Sequence, residues 1–135
     1  MPTQSRWLIK TALGYLAAAL TIGLVRAVQA AGVLPGRATA LWLPQLHFLT
    51  VGWLTQLIFG VASWLFPNPD GGQASSRVVW AAYGALNAGL VLRLVCEPRG
   101  LPDGLSDWGL VASAALQWGA SLLFVGHFWR RVRTK

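Results

Sequence analysis

Few side chains in this sequence could do chemistry. There are two histidines, His47 and His127, one cysteine, Cys96, and four acidic residues. His47 lies inside the apolar run "LPQLHFLTVGWLTQLIFGVASWLFP" at 43–67, and Arg26 and Arg93 interrupt two other apolar runs. A neutral imidazole is a common metal ligand, haem iron included. Arginine is the best side-chain partner for carboxylates in a partly dry site, and a haem carries two propionates. One histidine and two arginines on three segments therefore have the composition of a b-type haem site, with His47 on iron and Arg26 and Arg93 near the propionates. Ionisable groups inside apolar segments mark functional sites by default. A plainer reading uses the same residues: both arginines extend to lipid headgroups, and His47 bonds a backbone carbonyl. Spacing alone leaves both readings open.

Other chemistries lack their residues. A lone cysteine allows no intrachain disulfide and no CxxC metal motif. There is no carboxylate pair, no Ser/His/Asp set, no HExxH and no Gly-rich phosphate loop. Asp70 sits in "NPDGG", a turn signature. Three amides, Gln56, Asn87 and Gln117, fall near the middles of their apolar segments. Lipid cannot satisfy an amide, so these should point inward at similar depth and bond across helices. The alternative is a polar pocket for a quinone, or a water path.

These residues need a scaffold, and composition sets its class. Of 135 residues, 55% are hydrophobic and 11% charged, against roughly 25% charged in soluble domains. The reading is a single all-α integral membrane domain, 1–135. Four apolar segments cover about 7–34, 41–66, 78–96 and 108–129. Each is long enough to cross a hydrocarbon core of about 30 Å as a helix. Breakers separate them: "LPGR" at 34–37, "PNPDGGQASS" at 67–76 and "EPRGLPDGLSD" at 97–107. Short connections make sequential helices antiparallel neighbours, giving an up-down-up-down four-helix bundle. The first segment also resembles a signal peptide, with Arg6 and Lys10 before it and "VQA" before Ala31. We read it as the first helix.

The net charge of +7 comes from 11 basic residues against 4 acidic ones. They flank apolar segments, so the charge reads as topology and not as nucleic-acid binding. One side would hold Arg6, Lys10, Arg77, Arg130, Arg131, Arg133 and Lys135, the other Arg26, Arg37, Arg93 and Arg99. Seven against four predicts both termini in the cytoplasm. Trp7, Trp64, Trp80 and Trp129 then fall at inner ends and Trp42 and Trp108 at outer ends, as interfacial belts require. Trp53 and Trp118 fall mid-membrane, where a partner or ligand would meet them. Small residues recur at helical spacing: Ala19, Gly23 and Ala27; Gly52 and Gly60; Ala81, Ala85 and Gly89; Ala115 and Gly119. Such faces bring helices close together or make room for a flat cofactor.

On this topology His47, Arg26 and Arg93 share one layer in the outer leaflet. His127 lies at the inner end of the fourth segment, roughly 20 Å away in depth at about 1.5 Å per residue. It cannot be the second axial ligand to a haem on His47 of the same chain. It should be interfacial, beside the basic run "RRVRTK".

The run at 43–67 resembles the histidine-bearing helix of small four-helix membrane proteins related to haem–copper oxidase subunit I, the nitric oxide reductase type included. The residues that carry the resemblance are His47, Gly52, Trp53, Gly60, Phe66 and Pro67, with "SLLFVGHFWRRV" at 121–132 resembling the end of the last helix. The resemblance implies a haem-ligating role for His47, with Gly52 and Trp53 beside the cofactor. The chain departs from the large subunit in one decisive respect. A haem–copper centre needs several histidines, on copper and on both haems, and this chain has two in all. It is not an oxygen or nitric oxide reductase on its own.

The expectation is therefore a haem b protein for electron transfer, or for haem or gas handling, in a respiratory-type assembly. It would sit in a bacterial-type inner membrane, as a homo-oligomer or with other membrane subunits. A quinone or a cytochrome would be its redox partner. The alternative is a cofactor-free accessory subunit of a respiratory or photosynthetic complex.

Overall fold

A computed structural model describes residues 1–36, 39–66, 73–97 and 103–129, the side chains of 73–76 and 103 excepted. Its elements are α1 (Thr3–Ala30), α2 (Trp42–Leu65), α3 (Gln73–Cys96) and α4 (Asp103–Trp129), with no strand among the described residues. All four are long and apolar enough to cross a membrane. Large apolar side chains face outward on every helix, among them Leu24, Ile58, Val91 and Val125. An apolar exterior of this kind suits contact with a lipid bilayer. Arg130, Arg131, Arg133 and Lys135, the loop residue Asp70, and Arg37 and Arg99 lie outside the described residues.

The first helix stops four residues before the predicted end, and its cap shows why. Gly32 takes the left-handed conformation at φ +76°. The Gly32 N–H then bonds the Gln29 carbonyl at 3.1 Å, and the Val33 N–H bonds the Val28 carbonyl at 3.2 Å. This Schellman closure satisfies the last carbonyls and turns the chain out before Pro35 is reached.

Helix α2 runs against α1 in the opposite sense. Ser5 Oγ donates to the Gly60 carbonyl, Gln56 Nε2 to the Leu8 carbonyl at 3.4 Å, and Arg26 to Gln45. The Tyr15 and Phe48 rings meet edge to face at 4.9 Å between these contacts. Helices α3 and α4 also pair in opposite senses: Ser113 Oγ donates to the Gly89 carbonyl at 2.7 Å, and Ser106 Oγ to the Cys96 carbonyl at 2.6 Å. A Cβ on Gly89 would lie 3.0 Å from the Ser113 carbonyl oxygen, so only glycine allows this approach. The two pairs join through α1 and α3, which run in the same sense, with Thr11 and Tyr83 hydroxyls 2.9 Å apart. Phe59 of α2 stacks on Phe124 of α4 at 3.7 Å. One core gathers Leu8, Val79, Ala82 and Phe124; the other gathers Ala19, Phe48 and Leu90.

Within α2 the residues Phe48–Thr55 form a π-helical segment. The burial pattern explains it. Pro44, Phe48, Gly52, Gln56 and Gly60 are all buried, at a constant spacing of four. In an ordinary helix each step of four overshoots a turn by about 40°, so four steps would rotate Gly60 nearly to the far side. The wider π turn absorbs that drift and keeps the whole row on α1. The Thr55 hydroxyl donates to the Thr50 carbonyl at 2.8 Å, five residues back, within this segment.

The three amides do not form one bonded layer. Gln56 is fully buried and reaches across to Leu8. Asn87 donates to Tyr83 of its own helix at 2.7 Å, and Gln117 to Ser113 of its own helix at 3.0 Å. Tyr83 lies level with Thr11, which places Asn87 about one turn further along the bundle than that contact. Sequence position fixed depth only to within a turn or two, too coarse to align groups on different helices.

Candidate cofactor site

His47 is the last α-helical residue before the π-helical segment and is half-buried. Its Nδ1 lies 2.9 Å from the Leu43 carbonyl oxygen. A carbonyl only accepts, so Nδ1 carries the proton, and in the neutral ring Nε2 holds the free lone pair. The bond also fixes the ring's rotation.

Arg93 lies at the same level. Phe48 and Leu94, the residues that follow His47 and Arg93, pack into one core cluster. The Arg93 Nε sits 2.7 Å from a Glu97 carboxylate oxygen, in an ion pair with side chains 19% and 10% exposed. Arg26 comes to the same end of the bundle from α1. It donates to Gln45 Oε1, and its guanidinium lies 4.8 Å from the centre of the Trp42 ring. That is cation–π range, and the ring and the amide hold the charge at the α1–α2 seam.

The structure thus gathers His47, Arg26 and Arg93 at one end, each held by its own neighbour. Gly52 behaves differently from the other expected site residues. A Cβ there would lie 2.6 Å from Tyr15 Cγ, so the tyrosine ring fills the space that the glycine leaves. Gly52 is a packing residue in this arrangement. Trp53 is half-buried on the flank that follows the buried row, whereas His47 is on the flank that precedes it. A haem on His47 would lie along His47's own flank, with Val51 and Thr55, and not beside Trp53. The tied Nδ1 fits such a group, whereas Gln45 and Trp42 already hold Arg26 and the Glu97 carboxylate competes with a propionate for Arg93.

His127 is at the other end. Its ring meets Phe128 edge to face at 5.2 Å and lines a small cleft with Val78, Val79 and Phe124. Val79 and Leu94 are fifteen residues apart on α3, roughly 22 Å along a helix. The two histidines of one chain do not meet. Cys96 is buried where α3 meets Gly109 of α4.

Sequence reading did not find Gln45 and Trp42 as partners of Arg26. That pairing depends on the register between α1 and α2, which no local pattern encodes. The Arg93–Glu97 pair carried a local signal, the i, i+4 spacing.

An apolar cleft of about 440 Å³ lies between α3 and α4, lined by Ala85, Ala115, Leu116, Gly119, Ala120, Leu122 and Leu123. It includes Ala115 and Gly119, small residues that the helix contacts leave uncovered. Trp118 beside it is 68% exposed. Compared with protein-family models, with curated proteins and with solved structures, the chain has no significant match in any of the three.

Proposed function

We propose that this chain is a b-type haem-binding membrane protein, with His47 Nε2 on the iron, serving electron transfer or haem or gas handling in a respiratory-type assembly. The observation that carries the reading is the Nδ1 contact to the Leu43 carbonyl. Metal-ligating histidines nearly always donate their second ring N–H to a carbonyl or carboxylate, which fixes the tautomer and raises the basicity of the ligating nitrogen. Bound haem supplies a one-electron couple and an iron centre for a gas. This chain's own residues orient the imidazole, offer the Arg26 charge to a propionate and exclude water with α2 side chains. A sixth ligand would come from a second copy's His47, another subunit or a non-histidine group, or be absent.

The same reading holds the chain as an up-down-up-down bundle in a bacterial-type inner membrane, with both termini cytoplasmic. The opposite running senses of α1 and α2, and of α3 and α4, support the alternation. The seven-to-four division of basic residues supports the orientation. The uncovered small residues on α4 and the half-buried flank around His47 favour contact with a second copy or another membrane subunit. A quinone or a cytochrome is the redox partner of choice.

A second reading, the cofactor-free accessory subunit, draws on three contacts, the first being the His47 bond to the Leu43 carbonyl that the plainer reading of the sequence expects. Tyr15 fills the space at Gly52, and Glu97 neutralises Arg93. An oxidised-then-reduced optical spectrum of protein made with ample haem decides between them. Haem bands that disappear in His47→Ala support the first reading. A wild-type protein without haem bands rejects it in favour of the second.

A further inference from the structure

Gln56 is the most deeply buried polar side chain of α2, at 0% exposure, and its Oε1 has no hydrogen-bond partner among the described residues. Its amide orientation is fixed by chemistry. Nε2 faces the Leu8 carbonyl oxygen at 3.4 Å, and turning the amide over would set two acceptors against each other. Oε1 therefore points away from Leu8, into the interior, as an acceptor lacking a donor. A buried amide oxygen without a donor is costly, and more so in a protein surrounded by hydrocarbon.

Leu8 itself belongs to an apolar core with Val79, Ala82 and Phe124, and the polar groups next along α1 and α3 are the Thr11 and Tyr83 hydroxyls. Thr11 follows Leu8 by three residues, on the same face of α1. Its hydroxyl is 2.9 Å from the Tyr83 hydroxyl of α3. One of that pair donates to the other, which leaves the second O–H and several lone pairs uncommitted. The nearby buried positions Ala12 and Ala82 carry only methyl groups. A small molecule that donates to Gln56 Oε1 and exchanges a second bond with the Thr11–Tyr83 pair would satisfy all three helices at once.

We propose that Gln56 Oε1 accepts a hydrogen bond from a single water molecule buried at the junction of α1, α2 and α3. Buried waters serve this purpose: they make about three bonds to polar groups that the protein leaves unpaired. The site is independent of the haem reading, being set by residues at another level from His47.

Infrared spectroscopy of protein labelled with glutamine carrying ¹³C at the side-chain carbonyl tests this. The difference between wild type and Gln56→Met isolates the Gln56 band. The expected position is that of a hydrogen-bonded amide carbonyl, unchanged in Tyr83→Phe. A band at the position of a free carbonyl overturns the proposal. So does a band that moves to the free position in Tyr83→Phe, because the donor is then the tyrosine. A density map at high resolution gives the second measurement and needs no variant. An isolated oxygen within hydrogen-bond distance of Oε1 is expected. Continuous density there, as from a hydroxylated lipid or a quinol, or no density at all, rejects the water.

Discussion

Gly52 of α2 lies against the ring of Tyr15 of α1 so closely that a Cβ would fall 2.6 Å from Cγ and 3.0 Å from Cβ of the tyrosine. The Phe48 ring, one turn from Gly52 on the same helix, also meets the tyrosine ring edge to face at 4.9 Å. Gly52→Ala should therefore destabilise the bundle by about 1–3 kcal/mol, the usual cost of overpacking. Thermal unfolding in mild detergent measures it. Combining it with Tyr15→Ala should give a non-additive result, since the two residues share one contact. Additive losses would mean that the contact is not what limits position 52.

The Arg93–Glu97 pair gives a second expectation. Both side chains are largely buried, so removing one partner strands the other. Arg93→Leu alone should cost about 1–3 kcal/mol, the penalty of a buried polar group left unpaired. Arg93→Leu with Glu97→Leu should recover most of it, because paired removal leaves no charge behind. Equal losses in the single and double variants would show that the pair is solvated and contributes little.

The distance between the histidines yields a third. His47→Ala should remove haem while the bundle stays folded, because α2 packs through Phe48, Gly52, Gln56 and Gly60. His127→Ala should keep haem, because it lies among Val78, Val79 and Phe124 at the far end. Loss of haem in His127→Ala would contradict the separation of the two residues.

Much of this was legible in the sequence, and the residues show where legibility ended. Apolar length gave four helices, because a span of about 20 residues has few other uses. Small residues marked the contacts at Gly52, Gly60 and Gly89, where a backbone must approach closely. At Ala115 and Gly119 the same signal marked residues that line the open cleft between α3 and α4. Composition cannot tell a seam from an exposed groove. His47 was conspicuous as an ionisable group in an apolar run, yet its nearest partner is a carbonyl of its own helix. Gln45 and Trp42 as holders of Arg26 could not be read at all. Cross-helix partners depend on register, and register here depends on a π-helical segment that no local propensity announces.

Orientation gives a fourth expectation. A reporter fused after Lys135 should be cytoplasmic, since seven basic residues gather on that side and four on the other. A periplasmic reporter would reverse the bundle and put His47 in the inner leaflet.

The π-helical segment gives the last, and it separates this helix from its neighbours. Deleting one residue from a regular membrane helix rotates everything beyond it by about 100° and breaks the packing of one half. Phe48–Thr55 is already wound one residue wide, holding a spacing of four from Pro44 to Gly60. Deleting the exposed Leu54 should let the segment relax to an ordinary helix. Pro44 and Phe48 on one side, and Gln56 and Gly60 on the other, would keep facing α1. The cost should be small, within about 1–2 kcal/mol by the scale of ordinary single changes. Deleting the exposed Leu13 from the regular helix α1 should abolish a monodisperse fold, because Tyr15 and Ala19 would turn away from their partners. Size-exclusion profiles and thermal unfolding of the two deletions, side by side, make the comparison. If the Leu54 deletion is as damaging as the Leu13 deletion, the wide turn does not serve to keep the buried row in register.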